Sequence, residues 1–172
     1  RDAVFSSFNR RTTEPRLKII DHIHKKDAIW SCGDIEDNQP TQYNHLKSLL
    51  PKTVDKDFTP LGDSMGKTPF WLFQKAYFHI INESNTWHDP NYLEISEKTY
   101  NCINSRTPFV LCGQPHTLKH LKEIGFKTFN DHWDESYDEE LNTDKRVDMI
   151  CDVIDQIEVD YKKLFKDVQH IL

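Results

Sequence analysis

Short apolar runs of strand length alternate along this chain with segments whose apolar residues recur every three or four positions, and that alternation admits few folds. Ala3-Val4-Phe5-Ser6-Ser7-Phe8 has the β-branched and aromatic content of a strand and runs into the polar turn Asn9-Arg10-Arg11-Thr12-Thr13-Glu14-Pro15. A helix is expected next, with Thr13 as N-cap, Pro15 in the first turn, Leu17, Ile20 and Ile23 or His24 on one face, and Lys25 and Lys26 at the negative end. Ala28-Ile29-Trp30-Ser31 reads as the second strand, so the chain begins β-α-β.

Residues 33 to 68 are polar, with Pro40, Pro51 and Pro60, and admit one short helix around Tyr43 to Leu50. An aromatic stretch from Phe70 leads into a buried strand, Ala76 to Ile81, that ends at Asn82-Glu83-Ser84. A polar loop over 85–95 precedes Ser96, the expected N-cap of a helix from Glu97 to Asn104. Phe109 to Cys112 is a fully apolar run of strand length followed by the turn Gly113-Gln114-Pro115, and His116 to Ile124 makes a helix closed by Gly125. Phe126 to Phe129 is expected to return as strand. After an acidic segment, Thr143 is expected to cap a long helix in which Val147, Ile150, Cys151, Ile154, Ile157, Tyr161, Leu164 and Phe165 form one stripe. The pattern implies one α/β domain over 1–172: a Rossmann-like parallel sheet with helices on both faces and a long C-terminal helix. Ligands of such sheets bind beyond the carboxyl ends of the strands. Three loops fall there: Asn9 to Pro15, Asn82 to Ser96, and Gly113 to His116.

Composition narrows the partners. At 172 residues the chain holds a core for one domain. A net charge of −6 opposes a phosphate backbone, so nucleic acid is not expected. No apolar run approaches membrane-spanning length, and no basic stretch leads into an apolar leader segment. Cys32, Cys102, Cys112 and Cys151 are widely spaced and read as free thiols; with the absent leader they favour a cytoplasmic or viral setting. The five glycines exclude G-x-G-x-x-G.

The most chemically loaded cluster is Ser96-Glu97-Lys98 at a helix start. Amide groups and the helix dipole receive phosphate there, Lys98 adds a point charge, and the Glu97 carboxylate accepts two ribose hydroxyls. The plainer reading is an ordinary capped N-terminus. Arg10, Arg11 and Arg16 place further cations at the same expected sheet end, or form a solvated basic turn.

Together, Tyr77-Phe78-His79-Ile80-Ile81-Asn82-Glu83-Ser84, Ser96-Glu97-Lys98-Thr99-Tyr100-Asn101 and Thr107-Pro108-Phe109-Val110-Leu111-Cys112-Gly113 resemble the donor-binding half of GT-B glycosyltransferases. The pattern is most similar to that of the α1,3-fucosyltransferases and related microbial and viral proteins. Ser7-Phe8-Asn9 followed by Arg16 resembles the family's earlier Ser-Asn and phosphate-gripping Arg, with one residue more. The resemblance implies Glu97 on the ribose hydroxyls, Lys98 and Arg16 on a diphosphate, and Asn9 near the phosphate or base, with Ser84 and Ser96 completing the donor site. Glu83 stands where the family has Asn, and as the end of a strand at the site it is the candidate acid or charge stabiliser. The loop from Glu83 to Glu97 is several residues longer than the family's. The implied donor is a nucleoside diphosphate sugar, GDP-linked by preference. No further cofactor or metal is implied, and the acceptor and catalytic base come from a separate domain.

Other signals are weaker. Gly62-Asp63-Ser64-Met65-Gly66-Lys67-Thr68 is one residue short of a P-loop and lacks a preceding strand. His116 and His120 have i, i+4 spacing without a diagnostic third zinc ligand. The acidic run Asp131 to Glu140 suits a solvated loop as well as a cation, and His79 and Trp71 read as core aromatics. Tyr92 and Tyr100 are both candidates for stacking on a base. Charge-assisted hydrogen bonds contribute about 1.5–3 kcal/mol each, against association costs of about 4–15 kcal/mol, so a few anchors imply weak binding. Two other expectations remain open: a non-catalytic nucleotide-binding or interaction domain, and a small phosphotransferase using the short glycine segment.

Overall fold

The computed structural model describes residues 1–35, 40–52, 54 and 70–172, with the backbone alone at Phe70. Its centre is a four-stranded, all-parallel sheet in the order β2-β1-β3-β4, formed by β1 (Ala3–Phe8), β2 (Ala28–Ser31), β3 (Ala76–Asn82) and β4 (Phe109–Cys112). The parallel α/β architecture expected from the alternating pattern is therefore present. β1 pairs with β2 in the register Phe5 to Ala28 and with β3 in the register Phe5 to Phe78; β3 pairs with β4 from His79 opposite Phe109 to Asn82 opposite Cys112. Val4, Phe5, Phe78, Ile80, Ile81, Val110 and Leu111 are all buried, the near-continuous apolar strand composition that a sheet covered on both faces requires.

Helices fill both faces. Neighbouring residues of a strand point to opposite sides. On β3, His79 meets the ring of Phe73 at 4.9 Å from α2 (Phe70–Phe73), whereas Phe78 meets Phe165 at 6.1 Å from α6 (Tyr161–Val168). The α2 side also carries α3 (Glu97–Asn104). The α6 side carries α1 (Glu14–Ile23) and α5 (Thr143–Val159), joined by an ion pair from Lys18 to Asp148 at 2.8 Å, with a second from Lys26, in the turn after α1, to Glu158 at 2.6 Å. A 3-10 helix, Thr41–Leu49, takes the place of the short helix expected near Tyr43. Helix α4 (Thr117–Glu123) is closed by Gly125 at φ 98°, a conformation that costs glycine little.

Local expectations fail in four places. Phe126 to Phe129 forms no strand: the Phe129 N–H donates to the Glu135 carboxylate at 2.8 Å, and the ring stacks on Trp133 at 4.6 Å, so the segment joins the core without entering the sheet. Asn142, not Thr143, caps α5, its side chain accepting from the Lys145 N–H at 3.0 Å. The long apolar stripe is one face of two helices, because Asp160 (φ −139°, ψ 46°) interrupts the helical backbone between α5 and α6. The break lets Tyr161 and Phe165 close around Tyr77, at 5.0 and 5.2 Å between rings. Trp71 is 48% exposed and takes the Lys75 ammonium over its ring, so it is no core residue, whereas His79 is buried. All four cysteines are free and buried. The short glycine segment, 62–68, lies outside the described residues.

Candidate functional site

In this strand order the chain leaves β1 toward β2 on one side and adds β3 and β4 on the other, so the topological switch lies between β1 and β3. The polar residues that follow those two strands are joined there in one hydrogen-bonded series. Asn9 Nδ2 donates to Ser7 Oγ at 3.2 Å, and Asn82 Nδ2 donates to the same oxygen at 3.0 Å. Arg16, rising from α1, donates through Nη2 to the carbonyls of Asn82 and Glu83 at 3.2 and 3.0 Å, and through Nη1 to Arg11 at 3.2 Å. The Glu83 carboxylate accepts from the Ser96 N–H at 3.1 Å and the Thr99 hydroxyl at 2.6 Å, which fastens the first turn of α3 to the end of β3. Above it Lys98 Nζ donates to Ser96 Oγ at 3.1 Å and reaches Ser84 Oγ at 3.5 Å and Glu97 Oε1 at 3.5 Å.

The residues singled out in the sequence thus come together, though not in equal positions. Lys98, Glu97, Ser96 and Ser84 form a solvent-reaching rim, while Asn9, Arg16 and Glu83 are 4%, 5% and 1% exposed beneath it. Ser96 caps α3 as expected, accepting from the Lys98 N–H at 3.3 Å. Arg16 uses its terminal nitrogens on backbone carbonyls and has no carboxylate within ion-pair distance among the described residues, so its charge sits under the loops as a fixed positive source. Burial lowers the pKa of that guanidinium from its usual value. Glu83 faces inward: one oxygen holds α3 and the other is enclosed.

Among the described residues, five buried side-chain polar atoms lack a hydrogen-bond partner, and four of them belong to this series: Asn9 Oδ1, Arg16 Nε, Asn82 Oδ1 and Glu83 Oε2. Buried polar groups are normally satisfied, and each unmet one costs about 1–3 kcal/mol. Their concentration at the switch point marks a place where three acceptors and one donor await water or a ligand group.

Two residues missed in the sequence hold the surrounding loops. Arg146 of α5 is 1% exposed and donates to the carbonyls of Gly113 (3.1 Å), Glu140 and Thr86, tying the loops after β3 and β4 together. Gln114, equally buried, accepts from the Glu94 N–H at 2.7 Å and donates to the carbonyls of Trp87 and Tyr92 at 3.1 and 3.0 Å. A lone Arg inside an apolar helical stripe was the available signal for the first; an ordinary turn Gln gives none. The acidic run is structural: Glu135 holds Thr128 and Phe129, and both Asp138 oxygens accept from α4, at Leu118 N and Lys119 N, 2.9 Å each. His116 does not share a helical face with His120; it precedes α4 in the left-handed region at φ 68°. Among the described residues no group of three or more His, Cys, Asp or Glu is placed to hold a metal ion, and no helix is long and apolar enough to cross a membrane.

No protein-family model matches the sequence, and no curated protein matches it.

Proposed function

We propose that this chain is the nucleotide-sugar-binding domain of a glycosyltransferase-like protein, taking a nucleoside diphosphate sugar at the carboxyl edge between β1 and β3. The observation that carries the reading is the joining of Asn9, Arg16, Glu83, Ser84, Ser96, Glu97 and Lys98 into one polar series at the switch point, with four buried atoms left unpartnered. The Lys98 ammonium and the Ser84 and Ser96 hydroxyls suit a diphosphate, and the half-exposed Glu97 carboxylate suits ribose hydroxyls. Arg16 adds its charge from below and keeps the end of β3 in place. Binding through so few anchors is weak, and transfer to an unidentified acceptor glycan or protein calls for a second domain.

The enclosure of Glu83, the one carboxylate with a candidate role in the chemistry, favours a second reading in which the domain binds nucleotide without catalysing transfer. Calorimetric titration of GDP, UDP, ADP and CMP into the purified chain tests both. A saturable heat for a diphosphate that is lost in Lys98→Ala and Glu97→Ala supports binding at the rim. Absence of binding by every nucleotide removes both readings. Hydrolysis of a bound nucleotide sugar by the wild-type chain, lost on nucleotide-site substitution, favours the catalytic one.

A further inference from the structure

Beyond the end of β4, residues 88–93 of the long loop and Gln114–His116 enclose a cleft of about 320 Å³, within the range of small-molecule sites. The cleft is preformed, because the buried Gln114 side chain holds the loop at Trp87, Tyr92 and Glu94, and Pro90 and Pro115 stiffen its two walls. His116 occupies the left-handed region at φ 68°, which a residue with a Cβ adopts at a cost. Its imidazole does not cap α4, a task taken by Asp138, and it remains exposed at the cleft, 6.3 Å from the His88 ring and perpendicular to it. On the same loop Tyr92 is 55% and Trp87 63% exposed, large aromatic faces left in water.

Among the described residues no Lys or Arg lines the cleft to meet a phosphate, and no third group joins the two imidazoles to hold a metal ion. Its lining offers an aromatic face with imidazole, amide and carboxylate groups around it. A pyranose ring presents the complement: one face of C–H groups, and a rim of hydroxyls that both donate and accept. We infer that the cleft bounded by Tyr92, His88, Asp89, Asn91 and His116 is a saccharide-binding site, separate from the Lys98 rim. The inference stands whether or not the rim takes a nucleotide.

The test is a titration of neutral mono- and disaccharides into the full chain, followed by tryptophan fluorescence and by amide shifts, in wild type, Tyr92→Ala, His116→Gly and Lys98→Ala. Tyr92 is exposed and glycine accepts the φ of residue 116, so both cleft variants keep the fold. Saturable shifts at 88–93 and 114–116, weakened about tenfold or more in the two cleft variants and unchanged in Lys98→Ala, are expected. Three results overturn the inference: no saturable response to any sugar, equal affinity in wild type and both cleft variants, or GDP binding that Tyr92→Ala weakens and Lys98→Ala does not.

Discussion

Replacing Arg146 by Met removes the guanidinium while keeping an apolar stem of similar reach. In the native chain that guanidinium serves the carbonyls of Gly113, Glu140 and Thr86, and the Thr143 hydroxyl lies 3.4 Å from Nη2. Each acceptor left unmet in a buried setting costs about 1–3 kcal/mol, and the enclosure of Arg146 at 1% exposure keeps water from replacing it fully. With some relaxation of the loops, the expected loss is about 3–5 kcal/mol, a large share of the roughly 5–15 kcal/mol that holds a domain together. For a chain of this length that is a fall in Tm of about 10 °C. Urea unfolding of Arg146→Met beside Lys145→Met, an exposed neighbour on the same helix expected to change stability by less than about 0.5 kcal/mol, gives the comparison. Amide exchange should quicken at 85–95 and 113–116 beyond the global change. A loss below about 1 kcal/mol, with exchange in those loops unaltered, would refute the tie between them.

Further outcomes follow from the same geometry. His79, buried against Phe8 and Phe73 and hydrogen-bonded to Ser6 at 2.7 Å, has its pKa lowered by burial to about 3. Because the unfolded chain takes up that proton near pH 6.5 and the folded chain does not, stability should fall by up to about 1.4 kcal/mol per pH unit as pH drops from about 6.5 toward 3. Glu135 and Asp138, whose pKa values burial raises, act in the opposite sense, so the slope is read as wild type minus His79→Gln; equal slopes in the two would contradict it. His116→Gly relieves a left-handed residue at the expense of a freer unfolded chain and should leave stability unchanged or raised by about 1 kcal/mol in chemical denaturation, whereas a loss of that size would mean the imidazole is structural. Burial raises the Cys32 and Cys112 thiols to about 11 and Cys151 to about 12, and raises Cys102 as well, so a thiol reagent at pH 8 should label none of the four in the native chain and all four in denaturant. Rapid native labelling of any one would place it at an opening segment.

The strands were legible because buried parallel strands need unbroken apolar runs, and β1, β2, β3 and β4 fall close to where Ala3–Phe8, Ala28–Ser31, Ala76–Ile81 and Phe109–Cys112 place them. Phe126-Lys127-Thr128-Phe129 carries aromatics only at its two ends, and it fails as a strand because a side chain, Glu135, supplies the acceptor that a neighbouring strand would have given. Periodicity located the stripe on α5 and α6 but not the break at Asp160, since an apolar period survives a change of axis when both helices bury the same side. At the site, motif spacing brought Ser96, Glu97 and Lys98 to a helix start and Asn9 and Arg16 to a neighbouring strand end. Depth was not legible: only the fold shows that Glu83 turns inward to hold Thr99 and that Arg16 turns its terminal nitrogens to backbone carbonyls. Gln114 and Arg146 act through backbone carbonyls distant in sequence, and no local pattern encodes such contacts.

Amide chemical-shift mapping of the chain titrated with GDP asks whether the polar series between β1 and β3, with Lys98 on its rim, takes a ligand. Saturable shifts are expected, centred on Asn9, Asn82 to Ser84, and Ser96 to Lys98, and abolished by Lys98→Ala. Shifts confined to other surfaces, or a spectrum that GDP leaves unchanged, would contradict a ligand site there.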